Sequence, residues 1–125
     1  MSEKNILLFE KYDGVRFVLE RSLSKYEDEI KINSSYWIND VKHHIQENQV
    51  DLLITELSKH NPDGLEISFY ARKISPNLKI LWITVLGCHV FREQREKLGN
   101  IQCIEKPLEI KQIRNTVLQA LEVPQ

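Results

Sequence analysis

One stretch constrains the chain more than any other: Val50 to Ile67, VDLLITELSKHNPDGLEI. Val50, Leu52, Leu53 and Ile54 form a near-continuous apolar run, the signature of a parallel strand covered on both faces. The run gives out at Glu56. His60, Asn61, Pro62, Asp63 and Gly64 are turn formers, and helical spacing resumes from Leu65 to Ile74, where Ser75 and Pro76 end it. A buried strand that delivers an acid at its carboxyl end and returns through a helix is the repeating unit of an α/β sheet, and ligands gather at that end of such sheets.

The same unit recurs along the 125 residues. Ile6 to Phe9 is an apolar run ending in Glu10, and after a turn over Lys11 to Gly14 the residues Val15, Val18, Leu19 and Leu23 share one helix face. Ile30 and Ile32 alternate with polar neighbours, as in a half-exposed edge strand. Ile38, Val41 and Ile45 predict a second helix running to Asn48, with Ser35 or Asn39 as its cap. Leu78 to Ile83 is a further strand with Thr84 at its end; Gly87 to Leu98 reads as a charged helix closed by Gly99. Ile101 to Ile104 is the fifth strand, followed by Glu105, Lys106 and Pro107, and Ile110, Ile113, Val117, Leu118 and Leu121 mark the last helix. Five strands alternating with five helices imply parallel pairing and a three-layer doubly wound fold, here expected as a single domain over residues 1–125. The short Glu122 to Gln125 tail is compatible with the cut end of a longer protein.

Composition excludes several function classes. An apolar content of 42% with 28% charged residues is that of a soluble globular chain. The net charge of −1 offers no global attraction to nucleic acid or anionic membranes. No apolar run approaches the 18 or so residues that span a bilayer, and MSEKNILLF does not read as a signal peptide, so a cytoplasmic location is the expectation. Cys88 and Cys103 match neither a disulfide framework nor a metal spacing and are expected as free thiols.

Gathered together, the strand-end residues are Glu10 and Lys11, Glu56, Thr84, and Lys106 before Pro107. With strand order 2-1-3-4-5, the first and third strands flank the switch point and Glu10 and Glu56 are neighbours. In DLLITE followed by PDGLEI, in LWIT with Thr84 and in IEKPL with Lys106, the whole chain resembles a receiver domain of the two-component response regulators. That resemblance implies the flavodoxin-like (βα)5 fold. It also implies an aspartate phosphoacceptor after the third strand, an acidic pair holding Mg²⁺, a Thr and a Lys contacting the phosphoryl oxygens, and an aromatic switch on the fifth strand.

This sequence departs from the pattern at three of those positions and at the residue after Thr84. Glu56 stands at the phosphoacceptor position, one methylene longer than aspartate, whereas in-line transfer needs reacting atoms placed to within about an ångström. The acidic pair is Glu10 and Lys11, and an ammonium beside a Mg²⁺ site is repulsive, so Mg²⁺ binding is expected to be weak or absent. Val85 follows Thr84 where receivers carry a small residue, and Cys103 occupies the aromatic switch position. Glu10 and Glu56 against Lys11 and Lys106 sum to zero, which predicts a Glu56 to Lys106 ion pair, because partly buried charges persist when paired. No cofactor is expected.

The resulting expectation is a non-enzymatic pseudo-receiver working through protein contacts. Its partners would be a histidine kinase or a downstream effector, with a dimer through the fourth helix, fifth strand and fifth helix, whose mixed charges also suit a plain soluble surface. A working phosphoacceptor domain using Asp13 or Asp63 is the alternative. A flavodoxin-like cofactor binder is a third reading, against which EKYDG lacks the Ser/Thr and Gly residues that cradle phosphate. Trp37 and Trp82 are expected in core or interface packing, and His43 and His44 in solvent. His60 and His89 are expected in loops at the site end of the sheet.

Overall fold

The computed structural model describes residues 3–10 and 13–124. Strands β1 (Lys4–Phe9), β2 (Ile30–Ser35), β3 (Leu52–Leu57), β4 (Lys79–Thr84) and β5 (Ile101–Glu105) alternate with helices α1 (Asp13–Ser22), α2 (Ile38–Glu47), α3 (Asp63–Ile74), α4 (Arg92–Leu98) and α5 (Ile110–Leu121). The five strands form one parallel sheet in the order β2-β1-β3-β4-β5, the order expected from the sequence.

The apolar strands are continuous because both faces are covered. Along β1, Ile6 and Leu8 join a cluster with Val15, Leu19, Ile113 and Val117, whereas Leu7 and Phe9 join the opposite cluster with Val41, Ile45, Ile67 and Trp82. β3 divides in the same way, Leu52 and Ile54 to the first face and Leu53 and Leu57 to the second. This two-residue alternation places Glu56 on the same face as Ile54, the side occupied by α1 and α5.

Local chemistry moves several boundaries. α1 begins at Asp13, so Asp13 and Gly14, expected in the turn over 11–14, belong to the helix, and the rest of that turn lies outside the described residues. Neither Ser35 nor Asn39 caps α2: the Ser35 hydroxyl accepts the Trp37 N–H at 3.2 Å, Trp37 is extended, and the helix starts at Ile38 with Asn39 within it. The expected helix over Gly87–Leu98 divides into a 3-10 turn, Cys88–Phe91, and α4 proper. Gly99, at a φ of 65°, closes α4 as expected, in a conformation that favours glycine.

Trp82 is fully buried in the core, whereas Trp37 is 70% exposed and takes no part in the core. The free-thiol expectation is also overturned: Cys88 and Cys103 form a disulfide, with Cα atoms 6.0 Å apart. Strand order supplies the reason. Cys103 is on β5 and Cys88 lies in the turn just beyond the end of its neighbour β4, a juxtaposition that spacing along the chain does not show.

Candidate site at the carboxyl ends of the strands

Parallel pairing sets the site. Phe9 pairs with Thr55 and Ile83 with Glu56, so the ends of β1, β3 and β4 lie side by side and their loops open on the same edge of the sheet. A cleft of about 270 Å³ forms there, lined by Phe9, Glu10, Thr55, Glu56, Ser58, His60, Asn61, Asp63 and Gly64.

The β3–α3 loop holds its shape through its own side chains. Ser58 Oγ accepts the His60 N–H at 3.1 Å, and Asn61 Oδ1 accepts the Asp63 N–H at 3.0 Å. Turns of this kind let Ser and Asn substitute for backbone partners. Gly64 brings the start of α3 against the end of β3: a Cβ at this position would stand 2.3 Å from the Glu56 carbonyl oxygen. The absence of a side chain at residue 64 therefore fixes how close the helix comes to the acid.

Glu10 is buried at 5% exposure and lines the cleft with Glu56. Lys106 Nζ donates to Glu56 Oε2, the ion pair that the charge sum called for, with the two side chains 24% and 22% exposed. Exposure at that level places the pair between the surface case, worth 0–1 kcal/mol, and the buried case, where removing one partner costs 3–5 kcal/mol. Lys106→Met is accordingly expected to lower the unfolding free energy by about 2 kcal/mol, read from urea curves. Glu56→Gln in the Lys106→Met background should recover at least half of the loss; no recovery would mean that the pair is not the source.

The other expected site residues are distributed unevenly. Lys11, expected near the metal position, lies outside the described residues, as does the side chain of Asp13. Thr84 is fully buried, and its Oγ1 accepts the Leu86 N–H at 3.0 Å. Val85 is 69% exposed and is not among the residues lining the cleft, so its bulk does not close it. His60 lines the cleft, whereas His89 belongs to the turn before α4. Cys103 is half-buried and bonded to Cys88.

Asp63, an acceptor in the alternative reading of the sequence, lies on the cleft wall and adds a third acid to Glu10 and Glu56. The zero charge sum therefore holds only for the four groups it counted. Even so, the donor set does not suit Mg²⁺. Glu56 is committed to Lys106, and among the described residues no group of three or more His, Cys, Asp or Glu is arranged to hold a metal ion. Magnesium demands near-octahedral oxygen ligation, which a carboxylate engaged by a lysine does not offer.

Over 124 residues the chain is 24% identical to the DNA-binding transcriptional regulator NtrC of Azospirillum brasilense, covering 97% of this chain but 25% of the regulator. Over 120 residues it is 25% identical to the response regulator receiver protein CpdR of Brucella abortus, covering 94% of this chain and 97% of that protein. The chain thus spans about a quarter of the first relative and nearly all of the second. A response regulator from Thermotoga maritima superposes with a TM-score of 0.82 at 12% identity, covering 96% of this chain and 98% of that one. The non-phosphorylated HemR receiver domain from Leptospira biflexa gives 0.81 at 20% identity, covering 98% of each chain. The family model for the response regulator receiver domain matches residues 6–118, from the first buried residue of β1 into α5, and the chain belongs to that family.

Proposed function

We propose that the chain is a pseudo-receiver, a two-component-type signalling module that acts through protein contacts without conventional aspartyl phosphorylation and without enzymatic activity of its own. The observation that carries this reading is the Glu56–Lys106 ion pair at the position where an aspartate would accept phosphate. A carboxylate already paired with the lysine that would steady the phosphoryl oxygens is a weak nucleophile, and its extra methylene displaces it from in-line geometry. The donor set further argues for weak or absent Mg²⁺ binding. The disulfide at Cys103 and the local hydrogen bond of Thr84 both favour a fixed scaffold over a mimic of the phosphorylated state.

Its proposed partners are a histidine kinase or a downstream effector, with α4, β5 and α5 as the face for docking or dimerisation. No helix among the described residues is long and apolar enough to cross a membrane, which suits the proposed cytoplasmic location. Incubation with acetyl phosphate and Mg²⁺, followed by intact mass, is expected to show no adduct. A stable gain of one phosphoryl group would overturn the reading. Asp63, on the cleft wall, is the acceptor that the competing phosphotransfer reading would use, and tandem mass spectrometry would then locate the group there.

A further inference from the structure

We propose that Cys88 and Cys103 form a thiol–disulfide exchange site that reacts with glutathione-class monothiols and their disulfides, and that its closure fixes the turn after β4 against β5. The proposal does not rest on the reading of Glu56.

Three observations place it. The bridge joins the first residue of the 3-10 turn Cys88–Phe91 to the middle of β5, an edge strand of the sheet. Both cysteines are half-buried, so a small thiol has access while the pair stays close. A second tie runs in parallel, the Cys88 N–H donating to Glu105 Oε1 at 3.0 Å. This hydrogen bond holds the turn near β5 when the bridge opens, which keeps the two sulfurs within reach for reclosure.

The bridged turn carries surface that a partner would meet. Val85 and Val90 flank Cys88 and are 69% and 39% exposed. With the bridge closed these apolar side chains hold one position beside β5; with it open they are restrained by hydrogen bonding and by the packing of Phe91 on Trp82, whose ring centroids are 6.2 Å apart. A turn held by fewer ties opens more often. The redox state of one cysteine pair therefore sets how this apolar turn is presented.

The exchange is a two-electron step. A monothiolate attacks one bridge sulfur, forming a mixed disulfide and releasing the other cysteine as a thiolate, which takes up a proton. A second monothiolate attacks the monothiol sulfur of the mixed disulfide and releases the remaining cysteine, likewise protonated. The sum is protein disulfide plus two monothiols giving protein dithiol plus the monothiol disulfide, and an oxidised pool drives the reverse.

The test uses the whole chain equilibrated in buffers of graded reduced and oxidised glutathione, trapped with N-ethylmaleimide and weighed intact. Two maleimide adducts are expected at the reduced end and none at the oxidised end, with no lasting glutathione adduct. Hydrogen exchange over residues 85–91 should accelerate about tenfold on reduction while β1 and β3 stay unchanged. Cys103→Ser should show the faster exchange in both buffers; should it fail to fold, the two-buffer comparison of the unaltered chain decides alone. Two maleimide adducts at the oxidised end, persistent glutathionylation, or exchange over 85–91 that ignores the redox state would each overturn the proposal.

Discussion

Glu56→Asp alone is expected to leave the chain without a phosphoryl adduct in acetyl phosphate and Mg²⁺, whereas Glu56→Asp combined with Lys11→Asp should convert a measurable fraction to the phosphorylated form. The single change corrects reach. A misplacement of about 1 Å costs on the order of 100-fold in a transfer step, so shortening the side chain recovers geometry. It does not supply the cation, because the sequence still sets Lys11 beside Glu10, and an ammonium next to one buried carboxylate repels a divalent ion. The second change makes the residue after Glu10 an oxygen donor and reverses its charge. Lys106, no longer facing a longer carboxylate, becomes available to the incoming phosphoryl oxygens. Intact mass resolves both variants, since each adduct adds one phosphoryl group. Appreciable labelling of the single variant would contradict the charge argument; an unlabelled, folded double variant would show that these two positions are not what silences the site.

Much of this architecture was legible because burial and strand pairing write themselves into composition. The runs ILLF, LLITEL and KILWIT are apolar at consecutive positions since each strand is covered by helices on both sides. The Glu56–Lys106 pair was legible for a different reason: opposite charges at the carboxyl ends of β3 and β5 face the same edge of the sheet, and partly buried charges persist when paired. What escaped sequence reading depends on neighbours in space. The division of the helix before Arg92 follows from ties to β5, through the disulfide and Glu105, that prevent the first residues from winding regularly. Trp37 carries an apolar side chain whose type suggests packing, yet it sits in the β2–α2 connection at the edge of the sheet, where no second layer covers it. Asp63 reached the cleft wall because Gly64 lets α3 close on β3, an approach visible only once the two elements are placed together.

Trp82→Ala is expected to destabilise the fold by about 4 kcal/mol, within the 3–5 kcal/mol typical of deleting a buried Trp. Trp82 has no exposure, stands edge-on to Phe91 at an interplanar angle of 72°, and donates its Nε1–H to Ser68 Oγ at 3.0 Å. Two terms contribute to the loss, and their sizes differ. Ser68 Oγ also donates to the Gly64 carbonyl at 2.7 Å, so removing the indole leaves the hydroxyl with a partner and the hydrogen-bond term is near 1 kcal/mol. The cavity dominates, because β4 is central to the second hydrophobic cluster and the strands around it cannot collapse into the void. Trp82→Phe separates the terms: it keeps a ring against Phe91, loses the donor, and should cost about 1–2 kcal/mol. Urea unfolding with a shared m-value measures both. Similar losses for the two variants would assign the stability to the Trp82–Ser68–Gly64 hydrogen-bond chain, and with it the seating of α3 on Glu56, rather than to packing. Because Phe91 ends the turn that begins at Cys88, Trp82→Ala should also loosen that turn from below. Hydrogen exchange over residues 88–91 should then rise even with the disulfide closed, separating the packing anchor of the turn from its covalent one.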